Sequence, residues 1–190
     1  KLIKLVNDIN PIYNLSEYDS VISSGELVSS GLLSISLQTI GVKAKSFSGW
    51  QVPIITDENF GKANINSIDT NTLFSELKKG ITPVVSGFQG ITDKSRITTL
   101  GRGGSDTSAV AIATAFKADR CDIYTDVDGV YTADPRIVKN AVKLNHITFE
   151  EMLELASQGA KVLQTRSVAL AMNNNIKLQV LSSFDEQPGT

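Results

Sequence analysis

Thr98-Thr99-Leu100-Gly101-Arg102-Gly103-Gly104-Ser105-Asp106-Thr107-Ser108 leads straight into an apolar stretch, Ala109 to Ala113 with Ala115 and Phe116. Three glycines let the backbone turn tightly and approach a ligand. The helix expected over Ser105 to Ala118 is apolar on most faces, which implies burial. Its start offers unpaired N–H groups and a positive dipole end, a ready anion site. Arg102 adds a planar fork suited to carboxylate or phosphate. The same residues equally suit a glycine-rich turn in which Ser105 or Asp106 merely caps the helix. Two better-known phosphate motifs fail here. Lys94-Ser95 offers the tail of a P-loop, but Asp93 stands where its second glycine belongs. Gly101 and Gly103 begin a dinucleotide fingerprint, but Asp106 takes its third place and would repel a pyrophosphate.

Outward from this stretch, helical and strand patterns alternate. Lys1 to Ile9 reads as a helix. Val28, Leu32, Ile35 and Thr39 recur at spacings of four, three and four, and Gly41 follows as a stop, so Gly25 to Ile40 reads as a second. Val42 to Ser48 is extended. Asp69 or Thr70 can cap a helix carrying Leu73, Phe74 and Leu77, closed by Lys78, Lys79 and Gly80. Ile81 to Gly87 reads as a strand in which Pro83 favours an edge. Cys121 to Asp126 is a strand, with turns at Asp128-Gly129 and before Pro135. Thr148 and Glu151 form a capping box ahead of Met152, Leu153 and Leu155. Lys177 to Ser182 is a last strand. This order predicts an α/β sandwich with a largely parallel sheet and no internal domain boundary.

The totals restrict function. A net charge of -2, with 18 Lys and Arg scattered along 190 residues, argues against nucleic acid or an anionic membrane surface. A single cysteine, Cys121, excludes an intrachain disulfide and fits a reducing cytoplasm. No signal-peptide pattern and no apolar run long enough to span a bilayer is expected. His146 is the only histidine, which rules out multi-histidine metal sites; it reads as a surface residue.

Two further segments carry polar chemistry. Tyr124-Thr125-Asp126-Val127-Asp128-Gly129-Val130-Tyr131-Thr132-Ala133-Asp134-Pro135-Arg136 has the carboxylates of a calcium loop but not its spacing. A strand end followed by a polar hairpin is where α/β proteins bind ligands, although a solvated Asp/Gly turn has the same composition. Gly159-Ala160-Lys161-Val162-Leu163 follows a helix, and by itself Lys161 is an ordinary surface lysine.

Taken in order, these segments resemble the aspartate kinase branch of the amino-acid kinase family over nearly the whole chain. Ser24-Gly25-Glu26 resembles its acceptor motif, and Phe88-Gln89-Gly90 its Gly-Phe-x-Gly stretch. Thr99-Leu100-Gly101-Arg102-Gly103-Gly104-Ser105-Asp106 resembles its most specific signature. Thr125 to Tyr131 with Ala133 to Arg136, then Phe149-Glu150-Glu151-Met152 and Gly159 to Leu163, complete the series. The resemblance implies a three-layer α/β sandwich. It implies transfer of the γ-phosphoryl group of ATP, with Mg²⁺, to the side-chain carboxylate of L-aspartate, the first step towards lysine, threonine and methionine. Glu26, expected near a helix N-terminus, and Arg102 would hold the acceptor's ammonium and carboxylate. Gly101, Gly103, Gly104 and Ser105 would form the phosphate loop. Thr125, Asp126, Tyr131, Arg136, Lys161 and Val162 would line the nucleotide site. Asp106 and Lys161 would be catalytic, Asp106 as the carboxylate that orients cations; no resident metal ligand is assigned. A cytoplasmic homo-oligomer is expected of the complete protein.

One departure bears on this. The family's first strand and Lys-x-Gly-Gly loop are not found, and the chain stops near where the family's regulatory domains begin. The expectation is therefore a catalytic domain without its N-terminal strand and loop and without regulatory domains, inactive or nearly so by itself. Kinases of the same fold acting on glutamate or an acetylated glutamate, and a non-catalytic nucleotide-binding homologue, are the competing readings. Glu26 favours an acceptor with a free ammonium group, and Asp106 speaks against a dinucleotide-dependent oxidoreductase.

Overall fold

The computed structural model, which describes residues 1–160 and 162–190, divides into two units, Lys1–Ser108 and Ala109–Thr190. The first contains α1 (Leu2–Ile9), α2 (Leu15–Thr39), β1 (Ala44–Phe47), β2 (Ile54–Thr56), β3 (Ile65–Ile68), α3 (Asn71–Lys78), β4 (Thr82–Val85), β5 (Gln89–Ile91) and β6 (Ile97–Thr99). Helix α4 (Gly104–Phe116) carries the boundary. The second unit continues with β7 (Arg120–Thr125), α5 (Phe149–Ser157), α6 (Thr165–Asn173) and β8 (Lys177–Ser182). β1 pairs with β4 in parallel, β7 with β8 in parallel, and β3-β2-β5-β6 form a four-stranded sheet in which β2 and β5 run parallel. This is the α/β fold that the alternation predicts, with mostly parallel pairing.

The expected helices and longer strands are found, shifted by at most a few residues at their ends except at the start of α2. The capping box is formed: the Thr148 hydroxyl accepts from the Glu151 N–H, and the Glu151 carboxylate accepts from the Thr148 N–H. Pro83 is tolerated for a geometric reason. Thr82 N–H donates to Lys43 and Ser86 N–H to Phe47, so the even-numbered residues face β1 and the missing donor of Pro83 lies on the other edge. The sequence pattern missed β2, β3, β5 and β6, strands of three or four residues that are too short for a period to register. It also missed α6, whose buried side chains Ser167, Val168 and Ala171 include only one bulky apolar group. Val52, Ile54, Leu73 and Leu100 fill the core of the first unit. Val110, Cys121, Ile123, Val130, Met152, Leu163, Val168 and Val180 belong to that of the second.

Helix α2 departs most from its sequence reading. It starts ten residues before Gly25, at Leu15, where the Asn14 side chain accepts from the Ser16 N–H. Its apolar stripe is not its buried face: Val28 and Leu32 are 63% and 61% exposed. Asp19, Ser23, Ser30 and Ser34 are buried instead, at spacings that put them on one side of the helix against β1, β4 and β6. Small hydroxyl side chains allow that close approach. Ser23 and Ser30 return hydrogen bonds to the helix backbone at Ser20 and Leu27, and Ser30 also meets the buried Ser86 hydroxyl at 2.8 Å. By length and composition α2 is also apolar enough to cross a membrane, which corrects the expectation that no such run exists. In the structure it lies along the strands with a charged residue inside.

That residue is Asp19, fully buried. One carboxylate oxygen accepts from the Gly61 and Thr99 N–H groups, both at 2.8 Å, and the other from the Thr99 hydroxyl at 2.7 Å. Three donors replace the lost water, which is what allows a carboxylate to remain inside. Asp19→Ala orphans all three donors and is expected to cost at least about 3 kcal/mol in chemical denaturation; a loss below about 1 kcal/mol would contradict this account. Leu32→Gln, by contrast, should change stability by less than about 0.5 kcal/mol, because the side chain is already in solvent. A loss of about 2 kcal/mol or more in the same titration would return Leu32 to the core.

Candidate functional site

In the first unit the site is built where β6 runs into α4. Gly101 and Gly103 adopt left-handed φ values of +74° and +67°, which side chains with a Cβ resist. At Gly101 space is limiting too, since a Cβ would lie 3.0 Å from the Gly61 carbonyl oxygen. The turn closes through Gly104 N–H to the Gly101 carbonyl at 3.0 Å. The hydroxyls of Thr107 and Ser108 then donate back to the Gly103 and Gly104 carbonyls, each at 2.9 Å. Ser105 and Arg102 are exposed and Asp106 is half-buried in the first turn of α4.

Glu26 approaches the same place from α2. Its carbonyl accepts from the Ser86 hydroxyl at 3.3 Å, and the next residue, Gly87, lies so close to Ser105 that a Cβ there would be 3.3 Å from the Ser105 Cα. The short crossing after β4 thus borders both the Glu26 turn of α2 and the start of α4. Glu26 is not near a helix N-terminus, as the sequence reading had it, but in the middle of α2. The helix dipole gives it little help there. Burial raises the carboxyls of both Glu26 and Asp106 from their ordinary values, and among the described residues no cation opposes that rise.

In the second unit Thr125 ends β7, its hydroxyl 3.2 Å from the carboxylate of the exposed Asp126. Tyr131 follows, joined to Lys143 by an antiparallel bridge. Its phenol donates to Asp128 at 3.1 Å, and Lys143 reaches the same carboxylate at 3.2 Å. Burial pushes Asp128 up, but the hydrogen bonds from Lys143 and Tyr131 outweigh it and leave Asp128 below its ordinary value. The hydrogen bond to Asp128 pushes Tyr131 above its own. Arg136 is exposed and grips Asp134 through two nitrogens, at 3.0 and 2.8 Å. Val162 is half-buried, while Lys161 lies outside the described residues.

The structure therefore places Thr125 at the end of β7 with Asp126, Tyr131 and Arg136 on the segment that follows, and links the Glu26 backbone through Ser86 and Gly87 to the start of α4, where Arg102, Asp106 and the glycine turn lie. Sequence reasoning missed Asp19, Ser86, Asp128 and Lys143. A lone buried Asp or Ser leaves no spacing signal, and Asp128 was legible only as a turn residue. A cavity of about 460 Å³ in the second unit, bordered by Val130, His146, Phe149, Met152, Lys177 and Val180, contains none of the expected site residues that lie among the described residues. His146 is exposed at its rim, as expected.

The chain as a whole is similar to known aspartate kinases. An aspartokinase of Rickettsia bellii is 51% identical over 184 residues, covering 97% of this chain and 45% of the relative. An aspartate kinase of Pseudomonas putida is 53% identical over 190 residues, all of this chain and 46% of the relative. The crystal structure of Escherichia coli aspartokinase III in complex with aspartate and ADP superposes with a TM-score of 0.89 at 36% identity, over 100% of this chain and 43% of that one. The chain thus spans about half the length of the curated relatives it matches. Residues 3–182 match the amino acid kinase family as a whole, and with the fold and the glycine turn in place, this chain belongs to that family.

Proposed function

We propose that the protein containing this chain is an aspartate kinase, transferring the γ-phosphoryl group of ATP to the side-chain carboxylate of L-aspartate. The products are 4-phospho-L-aspartate and ADP, at the head of lysine, threonine and methionine synthesis. The observation that carries the reading is the pair of half-buried carboxylates, Glu26 and Asp106, raised by burial and without a cation from the described residues. Uncompensated charge of this kind is destabilising unless a ligand brings the opposite charge. Glu26 would meet the ammonium of an amino acid, and the exposed Arg102 fork its carboxylate. The likeness to a solved aspartokinase bound to aspartate and ADP supports the same assignment.

Chemically, the acceptor oxygen is already ionised at neutral pH, so no base is needed. It attacks Pγ in line; an O–Pγ bond forms, the bond from Pγ to the β–γ bridging oxygen breaks, and ADP leaves with that electron pair. The protein supplies position and positive charge. The glycine turn and the start of α4 present N–H groups to phosphate oxygens. Thr125, Asp126, Tyr131, Arg136, Lys161 and Val162 would hold the nucleotide, with Lys161 beside its phosphates. Magnesium would add positive charge on the phosphate oxygens, and the donor chemistry of Asp106, an uncompensated carboxylate at the glycine turn, suits orienting such a cation. Glu26's preference for a free ammonium favours aspartate over an acetylated acceptor. The cytoplasm as compartment fits the lack of any intrachain disulfide, and the exposed stripe on α2 supports a homo-oligomer.

In the intact protein, Glu26→Gln and Arg102→Lys should each raise the aspartate KM at least about 30-fold and change the ATP KM little. Succinate, which has no amino group, should be a poor acceptor, and Glu26→Gln should narrow that gap. Equal use of succinate and aspartate by the parent would refute the acceptor assignment.

The raised carboxyls give a second expectation of definite sign. A carboxyl whose folded pKa exceeds its unfolded value binds its proton more tightly when folded, so stability falls as pH rises through that window. At pH 7 Asp106→Asn and Glu26→Gln should therefore melt at or above the parent temperature, and the gain should vanish on acidification into the carboxylate range. Asp106→Asn should at the same time lower turnover by about 10² or more. Near-normal turnover would reduce Asp106 to a helix cap, a role Asn fills equally well.

A further inference from the structure

We propose that Phe88 is a positioning residue for the acceptor site, acting as a clamp that fixes the Gly101–Gly104 turn relative to the Glu26 turn of α2. The inference rests on the acceptor reading above and goes beyond it, because no role for this side chain follows from the sequence signature.

Phe88 has a left-handed backbone, φ +66°, which is an outlier for a bulky side chain. Glycine would adopt it freely and stands on either side of the Phe88-Gln89 pair, at Gly87 and Gly90. A strained residue persists only where its surroundings over-determine it, and these do. Its N–H donates to the Ser108 hydroxyl at 2.9 Å, and that hydroxyl, itself buried, donates to the Gly104 carbonyl. Its carbonyl accepts from the Leu100 N–H at 2.9 Å. Its ring lies on the Gly104 backbone, where a Cβ would be 2.7 Å from the ring Cδ2. Phe88 is thus bound to the entry of the glycine turn at Leu100 and to its exit at Gly104.

The flanking residues bind the other side. Ser86 donates to the Glu26 carbonyl, and the buried Gln89 amide donates to the Ser23 carbonyl, both at 3.3 Å. Ser86 to Gln89 is therefore a strap between the two groups proposed to hold the amino acid. Glu26 rides on one side of it and Arg102 on the turn at the other. A rigid strap fixes their spacing, and a shift of about 1 Å in such a spacing is enough to reduce catalysis strongly. The ring is the part glycine would lack, which accounts for a bulky residue in a conformation suited to glycine.

Phe88→Gly removes the ring and relieves the backbone, Ser108→Ala removes the acceptor of the Phe88 N–H, and Phe88→Tyr keeps both. In the intact protein the first two should raise the aspartate KM about tenfold with the ATP KM within about twofold, and Phe88→Tyr should behave as the parent. In the ligand-free protein, amide exchange at Leu100 and Gly104 should accelerate about tenfold in the same two variants. Unchanged exchange would overturn the clamp, and so would aspartate and ATP KM rising together. If Phe88→Gly does not fold, Ser108→Ala decides by the same two measurements. A parent that fails to phosphorylate aspartate would overturn the function proposed above, while exchange still decides the clamp: acceleration supports it and parental rates overturn it.

Discussion

The carboxylate of Asp19 organises the first unit, because it is the one charged group brought fully inside it and it satisfies three donors at once. Those donors come from Gly61 and Thr99, which are distant in sequence from Asp19 and from each other. The result is that α2, the loop between β2 and β3, and the end of β6 share a single anchor. Thr99 also leads into the glycine turn, and Gly101, with its left-handed φ, passes close enough to the Gly61 carbonyl that a side chain there would be both strained and crowded. The shape of the glycine turn therefore depends on a residue 80 positions before Thr99.

A helix with a polar buried face follows from the same constraint. To reach Thr99 and Gly61 with a side chain as short as aspartate, α2 must lie close to the strands. Serine at three further positions permits this because it needs little room, and the Ser23 and Ser30 hydroxyls return hydrogen bonds to their own helix. The apolar stripe of α2 is thereby turned outwards. Hydrophobic burial in this unit comes from Val52, Ile54, Leu73 and Leu100, and hydrogen bonds to and within α2 set its position.

Glu26 and Asp106 show the opposite treatment of charge. Asp19 is fully buried and fully hydrogen-bonded, whereas these two carboxyls are only partly buried, and burial raises both. A protein selected for stability alone would neutralise them or pair them. On the function proposed above, their cost in the free protein would be the counterpart of their use to a positively charged ligand group, setting stability against binding at the same two positions. The second unit handles its carboxylates differently, pairing Asp128 with Lys143 and Tyr131 and Asp134 with Arg136. There the polar groups are pre-ordered on one segment beyond β7.

What the amino-acid sequence determined by itself was whatever is written locally. The capping box at Thr148 and Glu151, the longer strands and the strand–glycine turn–helix unit each depend on neighbours within a few residues, so pattern and spacing disclose them. The family followed because its motifs are also local and recur in order. Tertiary structure alone decided which face of α2 is inside, since periodicity reports that a helix has two faces but not which one meets the sheet. It also moved Glu26 to mid-helix, because Gly25, an apparent boundary, is simply traversed. The left-handed backbone of Phe88 and the three bonds to Asp19 join residues far apart in the chain, and contacts at such separation leave no local pattern in the sequence.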